Sequence, residues 1–411
     1  MKRKSFIGII LSIVMCFCLS GCSFFGNTIE IGQSSEAIIA EEPTADPEDA
    51  SSMTYEKAVV HAMEKLEHMT LEEKVGQLFV VNLEQIDRKN GSFFEWKKCT
   101  KRMIKNLGKY KPGGVILFSR NIANRKQTTN LISNLQINSN LPLLITVDEE
   151  GGDVSRIASN DKMQTTKFPT METIGREKDS EYVYDMGSTI GSEIKELGFN
   201  VDFAPVADVK TSVLNKEIGS RSFGDDSDKV AELTSAFVKG LQSQNISATL
   251  KHFPGQGSSL GDTHIESVNI DSSITALRKT DFVPFEAGIE AGADFVMVSH
   301  ISVSKVTETS QPASMSRLIM QTILREELGF KGVIVTDAMD MAPIVQNYTA
   351  GEAALKAIEG GADIVLMPAD FFSTYKYLLE KVDEGKLTEE RINESVLRIL
   401  TVKYQRGIIE P

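Results

Sequence analysis

The chain has 411 residues, 41% of them hydrophobic and 25% charged, a composition that supports a folded globular domain with a sizeable core. Its formal net charge is −13, and loss of the leader's three cations, Lys2, Arg3 and Lys4, would take this to −16. Such a surface repels a phosphate backbone, which argues against a nucleic-acid partner.

The first residues read as an export signal. A basic start at Lys2, Arg3 and Lys4 precedes an apolar run over 6–19, too short to span a bilayer comfortably. The run ends in Leu19-Ser20-Gly21-Cys22, which resembles the bacterial lipobox. That resemblance implies a signal peptide over 1–21 and a diacylated Cys22 as the mature N-terminus; a simple cleaved signal is the alternative. Cys16 and Cys18 would leave with the signal and Cys22 would carry lipid, so only Cys99 remains and no disulfide is expected in the mature chain. Residues 23–55 contain no Lys or Arg, while Glu30, Glu36, Glu41, Glu42, Asp46, Glu48 and Asp49 accumulate among Ser, Ala and Pro. The segment 22–54 is therefore expected to be a disordered acidic tether with a reach of roughly 30 Å, leaving 55–411 as the folded domain.

After a helix expected over Tyr55–Glu67, apolar runs alternate with amphipathic stretches, the pattern of βα units. The runs cover 76–81, 114–118, 143–147, 201–205, 248–252, 295–299, 333–336 and 363–367. Helical patterns follow over 125–135, 182–197, 228–241, 316–328 and 352–359. Eight units predict a single closed (β/α)8 barrel of the TIM type, with an open doubly wound sheet as the alternative.

Chemistry in such a barrel gathers at the C-terminal ends of the strands. The third run leads into Asp148-Glu149-Glu150-Gly151-Gly152 and Arg156, and the fourth into Asp208 and Gly219-Ser220-Arg221-Ser222-Phe223-Gly224. The fifth ends in Lys251-His252-Phe253-Pro254-Gly255-Gln256-Gly257, the sixth at His300 and the seventh at Asp337. The glycines around Pro254 predict a loop over 253–264. In an extended stretch Asp262 and His264 point the same way, so the carboxylate can fix the imidazole tautomer and raise its pKa. A surface Asp-x-His with no role is the plain alternative.

These motifs, in this order over about 55–409, resemble the β-N-acetylhexosaminidase branch of glycoside hydrolase family 3. The resemblance implies a retaining exo-β-N-acetylhexosaminidase. Asp337 would be the nucleophile and His264, oriented by Asp262, the acid/base. Asp148, Arg156, Arg221, Lys251 and His252 would hold a terminal N-acetylglucosamine. Lys251 and Arg221 are expected to favour the ionised form of Asp337. Asp340, about one turn on, is the rival nucleophile; His300 has no assigned role. His61 and His68 are expected in solvent, and Met339 and Met341 in the pocket wall or core. Neither a cofactor nor a metal is expected, because no two histidines have ligand spacing on one element.

Glu149 stands where many members of the family carry Gln, and Gln256 where many carry His, which makes His264 the clearer acid/base. Many members also append an α/β sandwich; this chain stops after the barrel, so activity is expected to depend on the barrel loops alone. The remaining readings are a β-glucosidase, β-xylosidase or phosphorylase of the same fold, or a non-catalytic sugar-binding lipoprotein. An extracytoplasmic, lipid-anchored protein meets cell-wall fragments first, so peptidoglycan fragments are the expected substrate.

Overall fold

The computed structural model describes residues 53–88 and 94–411. The expected signal peptide, Cys22 and nearly all of the tether lie outside the described residues.

Eight strands form one parallel sheet: β1 (Phe79–Asn82), β2 (Gly114–Ile116), β3 (Leu144–Val147), β4 (Val201–Asp202), β5 (Ser247–Phe253), β6 (Phe295–Val298), β7 (Val333–Thr336) and β8 (Val365–Leu366). They pair in the order β8-β1-β2-β3-β4-β5-β6-β7. A parallel bridge between Val335 and Ile364, with the Thr336 amide donating to the Ile364 carbonyl at 3.0 Å, joins β7 to β8 and completes the ring. The (β/α)8 barrel is therefore observed and the open sheet is not. The strands are short and almost wholly buried, which is why they read as continuous apolar runs instead of alternating ones.

The expected runs over 114–118 and 363–367 shorten to Gly114–Ile116 and Val365–Leu366, and two other strands also change. Residues 76 and 77 end a helix, Leu71–Gln77, opened by a reciprocal capping box between Thr70 and Glu73, and β1 begins only at Phe79. Gly76 lets this helix approach the next layer: a Cβ there would meet the Tyr110 carbonyl at 2.3 Å. The run over 201–205 pairs only as Val201–Asp202, with a bridge resuming between Val206 and Lys251.

Helices ring the barrel. Ser180–Leu197 is capped by Asp179 and ends at Gly198, whose φ of 99° suits glycine. Ser227–Ser243 packs against it, capped by Asp226. The helix expected over 316–328 is wound as a π-helix over Leu318–Glu327. The C-terminal helix Glu389–Gln405 lies on Tyr55–Glu67, where the His61 and Tyr404 rings sit 5.7 Å apart. His61 is therefore partly covered, not solvated, while His68 is exposed. Cys99 is a free thiol.

Beneath the barrel Lys403 is fully buried, with Gln77 Oε1 at 2.8 Å from Nζ. Burial pushes its pKa down to about 7. The unfolded lysine titrates near 10.4, so between about pH 7 and 10 the unfolded chain holds the extra proton and stability should rise with pH. Thermal unfolding from pH 6.5 to 9.5 should show this rise, reduced in Lys403→Met; equal slopes in both proteins would contradict it.

Candidate active site

The C-terminal ends of the strands surround a cavity of about 490 Å³, lined among others by Asp148, Arg221, Lys251, His264, Asp337 and Asp340. Arg156 and His252 also line it. Seven residues expected at a binding or catalytic site thus meet in one cavity, with Asp262 held against His264 at its edge.

Asp337 follows β7 directly. Its amide donates to the Val298 carbonyl at 2.9 Å, and its Oδ1 accepts the Ala338 amide at 2.7 Å. Burial opposes ionisation, but the positive charge that protonation places on the facing imidazoles of His300, His252 and His264, together with that amide, outweighs it and holds the carboxyl below its ordinary pKa. Lys251 and Arg221 were expected to do this. They are instead neutralised by other carboxylates, which corrects that part of the sequence reading. Lys251 Nζ lies 2.9 Å from Asp148 and 2.7 Å from Glu150. Arg221 grips Glu150 with two nitrogens, at 2.9 and 2.6 Å. Burial again opposes ionisation of Glu150, and the two cations reverse it, so its pKa falls well below the usual range.

His252 is held by Asp208, whose Oδ2 lies 2.8 Å from Nδ1 and 3.2 Å from the His252 amide. With Nδ1–H donated there, Nε2 can accept from Arg221 Nη2 at 3.4 Å. Arg156 is bound more loosely: Nη2 is 3.8 Å from Asp148, and its buried Nε has no hydrogen-bond partner.

His300, left without a role by the sequence, is buried between two elements. The Ala338 carbonyl 2.9 Å from Nε2 can only accept, which assigns the proton to Nε2 and leaves Nδ1 to accept from Ser314 Oγ at 2.8 Å. Burial lowers its pKa. His300 therefore braces the turn that carries Asp337. Met339 is buried and Met341 lines the cavity, as expected.

On the loop after β5, Asp262 Oδ1 lies 2.8 Å from both His264 Nδ1 and the His264 amide. Glu217, which the sequence did not single out, joins this pair. It accepts from the Thr263 amide at 3.0 Å and from the Thr263 hydroxyl, and sits 3.4 Å from His264 Nδ1. The bond to Glu217 leads in raising the His264 pKa to about 9; partial burial opposes it and Asp262 adds to it. The imidazole is thus protonated at neutral pH, with Nδ1 engaged and Nε2 left for a proton transfer. The ligand atoms of Glu217, Asp262 and His264 lie within 4.8 Å of one another and could hold a small cation. The sequence showed no such grouping because Glu217 is remote in the chain, and at neutral pH the bound proton competes with a metal.

Asp340 stands at the mouth of the cavity. Partial loss of water and the neighbouring Asp337 charge push its carboxyl up to about 6. The two candidate nucleophiles thus separate: the carboxyl at the strand end is held below its ordinary pKa, and the other is pushed above it.

The family model for the glycosyl hydrolase family 3 N-terminal domain matches residues 70–402. A beta-hexosaminidase A of Pseudoalteromonas piscicida is 35% identical over 325 residues, 72% of this chain and 54% of the relative. A beta-hexosaminidase of Stenotrophomonas maltophilia is 37% identical over 263 residues, 62% of this chain and 75% of the relative. The solved structure of a family 3 beta-N-acetylglucosaminidase from Paenibacillus superposes with a TM-score of 0.77 at 34% identity, covering 83% of this chain and 63% of that one. The chain thus spans about half the length of the first relative. With the barrel and the family match agreeing over the same residues, the chain belongs to glycosyl hydrolase family 3.

Proposed function

We propose that the chain is a retaining exo-β-N-acetylhexosaminidase that removes terminal β-linked N-acetylglucosamine. The observation that carries this is the imidazole–carboxylate pair His264–Asp262, at 2.8 Å, on a loop lining the same cavity as the strand-end carboxylate Asp337. The relatives' names and the family match support the same sugar class.

In the first step Asp337 attacks the anomeric carbon while His264 Nε2 gives its proton to the leaving oxygen. The anomeric C–O bond breaks, and a glycosyl ester forms on Asp337. In the second step His264, now neutral, takes a proton from water, which attacks the same carbon and releases Asp337. A cationic acid avoids placing a second negative charge beside the nucleophile. Asp148, Arg156, Arg221, Lys251 and His252 hold the sugar hydroxyls.

Turnover of an aryl N-acetyl-β-glucosaminide, followed by NMR, should give the β-anomer first. An α-anomer, or no turnover by the folded protein, would remove the proposal. The same rate with and without phosphate would set hydrolysis apart from phosphorolysis. For the substrate we propose peptidoglycan fragments, because a lipoprotein on the outer face of a membrane meets them first. Digestion of purified cell-wall fragments beside chitin oligomers ranks the two.

Anchoring rests on Leu19-Ser20-Gly21-Cys22. The wild type should partition into the membrane fraction and Cys22→Ala should not; equal partition would end the lipoprotein reading.

A further inference from the structure

The tripeptide Asp148-Glu149-Glu150 sends its side chains two ways. Asp148 and Glu150 meet Lys251 in the cavity, while the buried Glu149 turns away into the small antiparallel hairpin of Glu149–Gly151 with Val154–Ser155. There its two oxygens accept the Ile157 amide at 2.7 Å, the Ala158 amide at 3.0 Å and the Ser155 hydroxyl. The Arg156 amide adds to these. These donors all lie in the four-residue stretch 155–158, which contains Arg156. Burial raises the Glu149 pKa, and the donors work against that shift.

Arg156 itself is held weakly at its head: among the described residues its one ion-pair contact is at 3.8 Å and its buried Nε has no hydrogen-bond partner. A guanidinium with spare donors, on a backbone clamped from behind, is preorganised for a ligand oxygen. We infer that Glu149 is a positioning residue: its carboxylate fixes the backbone of Arg156, and through it the guanidinium that faces the substrate sugar. Resting as it does on the reading of Arg156 as a sugar-binding residue, the inference predicts that Glu149 acts on affinity through Arg156 and not through the chemical step.

A neutral amide at this position keeps one acceptor oxygen but turns an N–H group toward amide donors. Glu149→Gln should therefore lose part of the clamp, and Glu149→Ala all of it. The test combines hydrogen exchange at Ile157 and Ala158 with a double-mutant cycle against Arg156→Ala, using an aryl N-acetyl-β-glucosaminide as substrate. Both amides should be protected in the wild type, less so in Glu149→Gln and unprotected in Glu149→Ala. KM should rise by about tenfold or more in Glu149→Ala, the scale of losing a charged hydrogen bond to the substrate, with kcat changed far less. In the Arg156→Ala background the same substitution should add less than about twofold.

Additive effects in the cycle, a fall confined to kcat, or unchanged amide protection would each overturn the inference. Should Glu149→Ala fail to fold, Glu149→Gln carries both comparisons. If the wild type turns over no N-acetylglucosaminide, the proposed function falls on its own, while exchange at Ile157 and Ala158 still decides whether Glu149 clamps the stretch.

Discussion

His264→Ala should slow substrates with poor leaving groups by about 10²- to 10⁴-fold, the usual scale of lost general-acid catalysis. Nitrophenyl substrates, whose leaving oxygen needs little protonation, should lose much less in the first step. Their second step still lacks its base, so a glycosyl-enzyme should accumulate and a burst appear. The pH dependence follows from the raised pKa. A group working as an acid must carry its proton, so kcat/KM should fall as pH rises through about 9. Because Glu217 leads in that shift, Glu217→Gln should draw this alkaline limb to lower pH at least as far as Asp262→Asn does. The ring is 62% exposed, so solvent screens part of both effects. Equal slowing of poor and activated leaving groups in His264→Ala would place the acid elsewhere.

Asp337→Ala should abolish turnover by about 10⁴- to 10⁶-fold, because no other group forms the covalent bond. The loss should hold for activated substrates too, which separates it from His264→Ala. Asp340→Asn should cost far less and, since that carboxyl titrates near 6, act mainly on the acidic limb of the pH–rate profile. Comparable losses at the two positions would mean that the strand-end argument chose the wrong carboxylate.

The strands were legible because a barrel strand buried on both sides is a continuous apolar run between polar loops. The same property misplaced the first one: Val75 and Leu78 are as buried on and after their helix as Phe79 is in β1, and only the Thr70–Glu73 box marks the difference. In the site, what lay close in sequence was readable. Asp262 and His264 sit two residues apart, and their bond formed as the spacing implied. Pairings across the barrel were not readable. Glu150 stood inside a quoted motif, yet nothing local shows that it meets Lys251 and Arg221, about 100 and 70 residues away. The partners of Glu217 and of Asp208 were hidden for the same reason, although each of these carboxylates fixes a histidine that the sequence did pick out. The charge balance around Asp337 was wrong in consequence, because cations were assigned before their partners were known.

In the proposed reaction the anomeric carbon is passed to Asp337. A fluorinated N-acetylglucosamine-type inactivator, which slows the second step more than the first, should leave a stable adduct on the wild-type protein. Mass spectrometry of its peptides should find the sugar on the segment containing Gly332-Val333-Ile334-Val335-Thr336-Asp337, with fragmentation placing it on Asp337 and no label in Asp337→Ala. A label on Asp340, or an inactivated enzyme carrying no covalent sugar, would contradict the account.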